Sequence, residues 1–181
     1  MQTTTTLDFA LLGLISQKPC SGYDLRKFFS STPMTSYSDS PGSIYPALRR
    51  MERRGLIRGQ LEAGSGRRER KLFHLTPRGR AEFRRWLLQP VTHDDVVRDV
   101  DALMLRFAFM DESAGAAAAL RFLKAFHREL ASYIPSLREY LKSNRSTMSV
   151  SGRLALESGI LGYETLFRWA RAAIAAYEKE K

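Results

Sequence analysis

The chain is poor in the residues from which most active sites are built. Its 181 residues include one cysteine, Cys20, and three histidines, His74, His93 and His127. A single cysteine allows no intrachain disulfide and no cysteine-based zinc site. The histidines are scattered, and none stands at metal-ligand spacing from a second ligand type. The segment GSGRRER lacks the Lys-Ser/Thr ending and the strand-to-helix setting of a phosphate-binding loop. No serine has a base close by in sequence. Long apolar runs are absent too: Leu7–Ile15 is too short to cross a bilayer and carries Asp8. The leader MQTTTT has no basic residue of the kind that opens a secretory signal. These absences predict a cytoplasmic protein that is not an enzyme, with no metal, no cofactor and no membrane contact.

Acid is scarce in one half only. The formal charge of +10 comes from 29 Lys+Arg against 19 Asp+Glu. Residues 1–90 hold 16 basic and 7 acidic residues, whereas residues 91–181 hold 13 and 12. Within the first half, Arg49–Arg85 holds 13 basic against 4 acidic residues. So uneven a distribution predicts one module for a polyanion, residues 1–90, and another of different purpose, residues 91–181.

The basic segment has a readable layout. Leu7–Gln17 is a first helix, ended by Lys18-Pro19-Cys20. Ser21 caps a second helix, Gly22–Ser30, with Asp24 completing a capping box. A polar connection, residues 31–40, follows. The third helix starts at one of two caps: Ser40, with Pro41 first in the helix, or Ser43, with Pro46 in the first turn. Ile44, Leu48 and Met51 give it an inward face, and Gly55 a left-handed end. Leu56–Glu62 and Arg70–Leu75 flank a Gly/Ser turn carrying Arg67 and Arg68, and read as two strands. His74, between Phe73 and Leu75, is expected to face outward. Thr76-Pro77 opens a fourth helix, stopped by Pro90. Helix, strand, basic turn, strand is a winged-helix pattern.

Beyond the linker Pro90–Asp95 the chain reads as all helical. One helix is expected over Val96–Met110, and a long one from a Ser113 cap to Lys142, kinked or split at Pro135. A third is expected over Val150–Lys179. Asp94, Asp95, Asp99 and Asp101 read as helix-start charges rather than a cation site. The fold class is therefore mainly α with a small β-wing. The wide apolar faces of the C-terminal helices call for a partner surface, and a second copy is the simplest supplier.

The pieces LDFALLGLI, SGYDL, GSIYPALRRMERRGLI and RKLFHLTPRG resemble the PadR family of transcriptional regulators. The run Gly42–Leu48, followed by Glu52, Gly55, Leu56 and Ile57, is the most specific part. Phe73-His74 stands where that family often has paired aromatics. The resemblance implies a homodimeric repressor that binds a pseudo-palindromic duplex and responds to a small aromatic molecule.

On these grounds the candidate DNA contacts are Tyr23, Ser43, Tyr45, Arg49, Arg50, Arg53, Arg67 and Arg68. Tyr23 reads equally as a core aromatic and Arg50 and Arg53 as solvated charges, whereas for Tyr45 the DNA contact is favoured over a half-buried core role. Trp86 and Trp169 are candidate effector contacts, against the plainer reading of core tryptophans. Two other functions remain open: a winged helix used for protein–protein assembly, and an RNA-binding module. The first does not need the local charge, and the second usually interleaves aromatics with its basic residues.

Overall fold

The computed structural model describes residues 4–32, 42–63 and 69–179. The chain divides into two compact units, Met1–Leu88 and Gln89–Lys181.

In the N-terminal unit, helix α1 spans Thr6–Gln17 and helix α2 spans Gly22–Ser31. Each begins with a reciprocal capping box. The Thr5 hydroxyl accepts from the Asp8 N–H, and the Asp8 carboxylate accepts from the Thr5 N–H. Ser21 and Asp24 do the same for α2. Such caps satisfy N–H groups that a helix start otherwise leaves open. Helix α3 runs Ile44–Arg53, and α4 runs Pro77–Leu87 from a Thr76 cap. A two-residue strand β1, Cys20–Ser21, joins the two wing strands β2, Ile57–Ala63, and β3, Glu69–Leu75. The sheet is antiparallel in the order β1-β3-β2, with Cys20 opposite Phe73 and Ile57 opposite Leu75. Cys20 was expected in a turn; it is a buried edge-strand residue whose thiol donates to the Lys18 carbonyl. Burial raises its pKa, so it is not a reactive thiolate. Phe73 and Leu75 face the core, and His74 lies half-buried on the other side of the strand. Leu11, Leu12, Leu25, Leu48, Met51 and Phe83 fill the centre.

In the C-terminal unit the expected single helix over Val96–Met110 is three. They are α5, His93–Arg98, α6, Val100–Ala108, and α7, Met110–Ala114. Asp99 causes the first break: its backbone leaves helical geometry, and its carboxylate accepts from the Ala102 N–H to cap α6. Asp95 completes a capping box with Thr92, and Asp94 pairs with Arg98. The aspartates are thus helix starts. Helix α8, Ala116–Asn144, begins after Gly115 at φ +87°, not at a Ser113 cap; Ser113 lies within α7. It runs unbroken through Pro135 and pairs with α9, Val150–Lys179. Phe122, Phe126, Leu130 and Ile134 of α8 form the core with Val96, Leu103 and Ala170. Arg106 is buried there, donating to the Gln89 carbonyl beside the Phe122 ring. Among the described residues no helix is long and apolar enough to cross a membrane, and no group of three metal-ligating side chains occurs.

Candidate nucleic-acid interface

Helix α3 carries the site. Its start lies at Ser43, so Pro46 falls in the first turn and costs no intrahelical bond. Ser43 occupies the N-cap position with helical backbone angles and makes no side-chain cap bond, contrary to the capping role expected for it. The alternative start at Ser40 lies outside the described residues. The helix ends in a Schellman motif. Gly55, at φ +68°, sends its N–H to the Glu52 carbonyl, and the Leu56 N–H reaches the Met51 carbonyl.

Helical periodicity divides the surface of α3 into three stripes. Ile44, Ala47, Leu48 and Met51 are buried. Arg50 and Arg54, four residues apart, turn toward the rest of the unit. Arg50 pairs with the fully buried Asp8 at 2.5 Å. Arg54 pairs with Glu82 at 3.1 Å and donates to the Thr4 hydroxyl at 2.7 Å. Arg50 was expected as a DNA contact; its guanidinium is instead committed to the interior, because an unpaired Asp8 carboxylate there would be costly. On the opposite flank Glu52 accepts from Lys71 at 2.8 Å and from the Gly59 N–H at 2.9 Å, tying α3 to the wing. The Lys71 ammonium holds the Glu52 carboxyl below its usual range; burial opposes this, and the Gly59 N–H adds to it.

The third stripe is Tyr45, Arg49 and Arg53, at i, i+4 and i+8. All three are exposed, and the two arginines form no ion pair with a described residue. Tyr45 is 42% exposed, and its ring lies over Gly22, where an added Cβ would come within 2.6 Å of Cε1. Tyr23, the next residue, is 60% exposed at the start of α2. Tyr45 thus joins the arginine stripe to the start of α2.

The wing is also anchored toward the turn end of its ladder, where Arg70 stands opposite Glu62. Arg70 reaches the Asp24 carboxylate and the Ser21 hydroxyl, linking β3 to the cap of α2. Burial pushes the Asp24 carboxyl up, but hydrogen bonds from Ser21 and the Arg70 charge outweigh it and leave it lowered. Arg67 and Arg68 lie outside the described residues. Sequence reading missed Asp8, Glu52, Arg54, Arg70 and Lys71 as the residues that fix the stripe. The signal was present for α3: Arg49 and Arg53 share a register distinct from that of Arg50 and Arg54.

The two tryptophans lie in different units. Trp86 is buried and stacks on Phe9 at 4.4 Å, with the rings 4° apart. It is a buried core residue of the N-terminal unit. Trp169 is partly buried, edge-on to Phe107 at 5.3 Å. A groove of about 600 Å³ runs along α9 in the same unit, lined by Val100, Gly159, Leu161, Gly162, Tyr163 and Leu166 among others.

Residues 11–85 match the model described as the transcriptional regulator PadR-like family. The chain is 29% identical over 93 residues to the negative transcriptional regulator PadR of Bacillus subtilis, a match that covers 51% of each protein. It is 29% identical over 86 residues to the probable transcriptional regulator Rv1176c of Mycobacterium tuberculosis, covering 48% of this chain and 46% of that one. The matched region thus spans about half the length of the curated relatives. Among solved structures, Bacillus subtilis PadR in complex with operator DNA aligns over 97% of this chain and 99% of that one, at 22% identity and TM-score 0.45. The capped four-helix unit with its three-stranded wing is thus the part of this chain that is similar to the PadR-like transcriptional regulators.

Proposed function

We propose that the chain is a dimeric repressor that binds a specific DNA duplex through α3 and the wing and is released by a small aromatic molecule. One observation carries the DNA reading. Arg50, Arg54 and Glu52 are spent on holding α3, while Arg49 and Arg53 are exposed and unused by the fold, in line with Tyr45, which packs over Gly22 yet keeps 42% of its surface open. Repelling arginines one turn apart gain nothing from each other, but a phosphate backbone neutralises both. In this reading Arg49 reaches deepest, and Ser43, Tyr45 and Tyr23 touch phosphate or sugar. Arg67 and Arg68, between the two wing strands in sequence, contact phosphate or the minor groove. Protein–protein assembly through the same unit does not call for an unpaired arginine stripe.

The dimer reading rests on α9. Only Ile160 and Ala170 are buried among its 30 residues. Val150, Leu154 and Leu161 are exposed and fall within one narrow stripe of the helix. A second copy covering that stripe would bury on the order of 2,000 Å² or more, as obligate interfaces do. The effector reading rests on Trp169 and its aromatic neighbours in the C-terminal unit.

The test is salt-dependent binding of the full chain to DNA fragments it retains. Arg49→Ala and Arg53→Ala should each weaken binding and reduce the log–log salt slope by about one unit for each phosphate left without its arginine. Unchanged affinity and slope in both variants would overturn the reading.

A further inference from the structure

Helix α4 is the second place where the N-terminal unit presents arginine that its fold does not use. The helix buries Gly79, Phe83, Trp86 and Leu87. The opposite arc carries Arg78, Arg80, Arg84 and Arg85, all exposed. Arg78, Arg80 and Arg85 take no part in the ion pairs that occupy Asp8, Asp24, Glu52 and Glu82.

Folding alone selects against this arrangement. The positive end of the helix dipole favours acid in the first turn, and α1, α2, α5 and α6 all place aspartate there. The first turn of α4 has no acid and carries Arg78 instead. Arg80 adds a further exposed cation close to that positive end. A polyanion lying on this arc turns each of these penalties into an attraction. The position also fits. Glu82 of α4 pairs with Arg54 at the C-cap of α3, so α4 flanks the C-terminal end of α3, away from Tyr45.

We infer that the Arg78–Arg85 face of α4 is a second, sequence-independent docking surface for the DNA backbone, holding duplex beyond the segment read by α3. The inference rests on the proposed DNA binding by α3. It explains why the excess charge of the first half extends past the wing, to Arg84 and Arg85.

The experiment uses the full chain and two duplexes built on one retained genomic fragment, a short one limited to the protected core and one extended at both ends by arbitrary sequence. The wild type should bind the extended duplex more tightly and with a steeper salt slope, whatever the flanking sequence. The triple variant Arg78→Gln/Arg80→Gln/Arg85→Gln should erase that length dependence while keeping the wild-type affinity for the short duplex. Its salt slope on the extended duplex should fall by about 0.9 for each phosphate no longer neutralised. The single Arg85→Gln variant carries the same readout at smaller size should the triple variant alter the melting curve. A triple variant that retains the full length dependence overturns the inference and leaves the face to an acidic protein or to solvent. Failure of the DNA reading itself looks different: the wild type binds neither duplex, or Arg49→Ala changes nothing on either.

Discussion

Arg49 and Arg50 are neighbours in sequence with opposite jobs, and substituting each by alanine separates fold from function. Arg50 pairs at 2.5 Å with Asp8, whose side chain is fully buried, while the Arg50 side chain keeps 24% of its exposure. Removing one partner of a buried pair costs about 3–5 kcal/mol, because the other charge is left uncompensated. The residual exposure of Arg50 and the Thr5 N–H still bonded to Asp8 place Arg50→Ala at the low end, about 3 kcal/mol. For a unit of this size that lowers the melting temperature by about 12–24 °C. Arg49→Ala removes an exposed side chain and should stay within about 0.5 kcal/mol. Trp86, stacked on Phe9 next to Asp8, reports the N-terminal unit by its emission once Trp169 is replaced by phenylalanine. Urea and thermal unfolding are followed by that signal, and DNA affinity is measured well below the midpoint. Arg50→Ala should be unstable and near wild-type in affinity per folded molecule, whereas Arg49→Ala should be stable and weak in binding. Equal stability of the two variants would refute the reasoning about α3.

Gly79→Ala should destabilise the N-terminal unit by at least about 1–3 kcal/mol, since its Cβ would lie 2.0 Å from the Leu56 carbonyl oxygen; a melting curve unchanged from wild type would contradict that packing. The lowered pKa of Glu52 means that its bonds to Lys71 and Gly59 stabilise the folded unit fully above the ordinary glutamate pKa, and that this contribution disappears as pH falls through the folded value. The gap in urea midpoint between wild type and Glu52→Gln should therefore be present at pH 7 and shrink on acidification below about pH 4.5; a gap constant down to about pH 3 counts against it. Leu154→Glu with Leu161→Glu should convert a dimer to monomers in sedimentation, because both side chains lie on the exposed stripe of α9; a double variant that sediments as the wild type does would place the interface elsewhere.

The sequence disclosed most of the N-terminal unit because its signals are local. Ser21 and Asp24, Thr76-Pro77 and Gly55 each mark a helix end by chemistry confined to a few residues. The Thr5–Asp8 box carries the same signal and went unread, since Asp8 was weighed only as a charge in an apolar run. Strand β1 escaped because two residues have no periodicity; only pairing with Phe73 and Leu72 defines them. The C-terminal breaks were missed where apolar spacing continued across Asp99 and Phe109 while the backbone turned. In the site, the sequence showed how many arginines there are and that they lie together. It did not show which are spent, because the partners Asp8, Glu82 and Asp24 lie 42, 28 and 46 residues away. Trp86 could not be told from an effector-binding residue until Phe9 was seen stacked on it.

The central claim is that two copies of α3 read one duplex. The most direct measurement is to incubate the purified full chain with sheared genomic DNA, sequence the retained fragments, and determine how many chains each fragment carries. The account predicts a shared pseudo-palindrome whose half-sites lie about one helical turn apart, near 34–36 Å, with two chains bound and with enrichment abolished in Arg49→Ala/Arg53→Ala. Fragments no different from the input, or an enriched sequence that the double variant retains equally well, would contradict it.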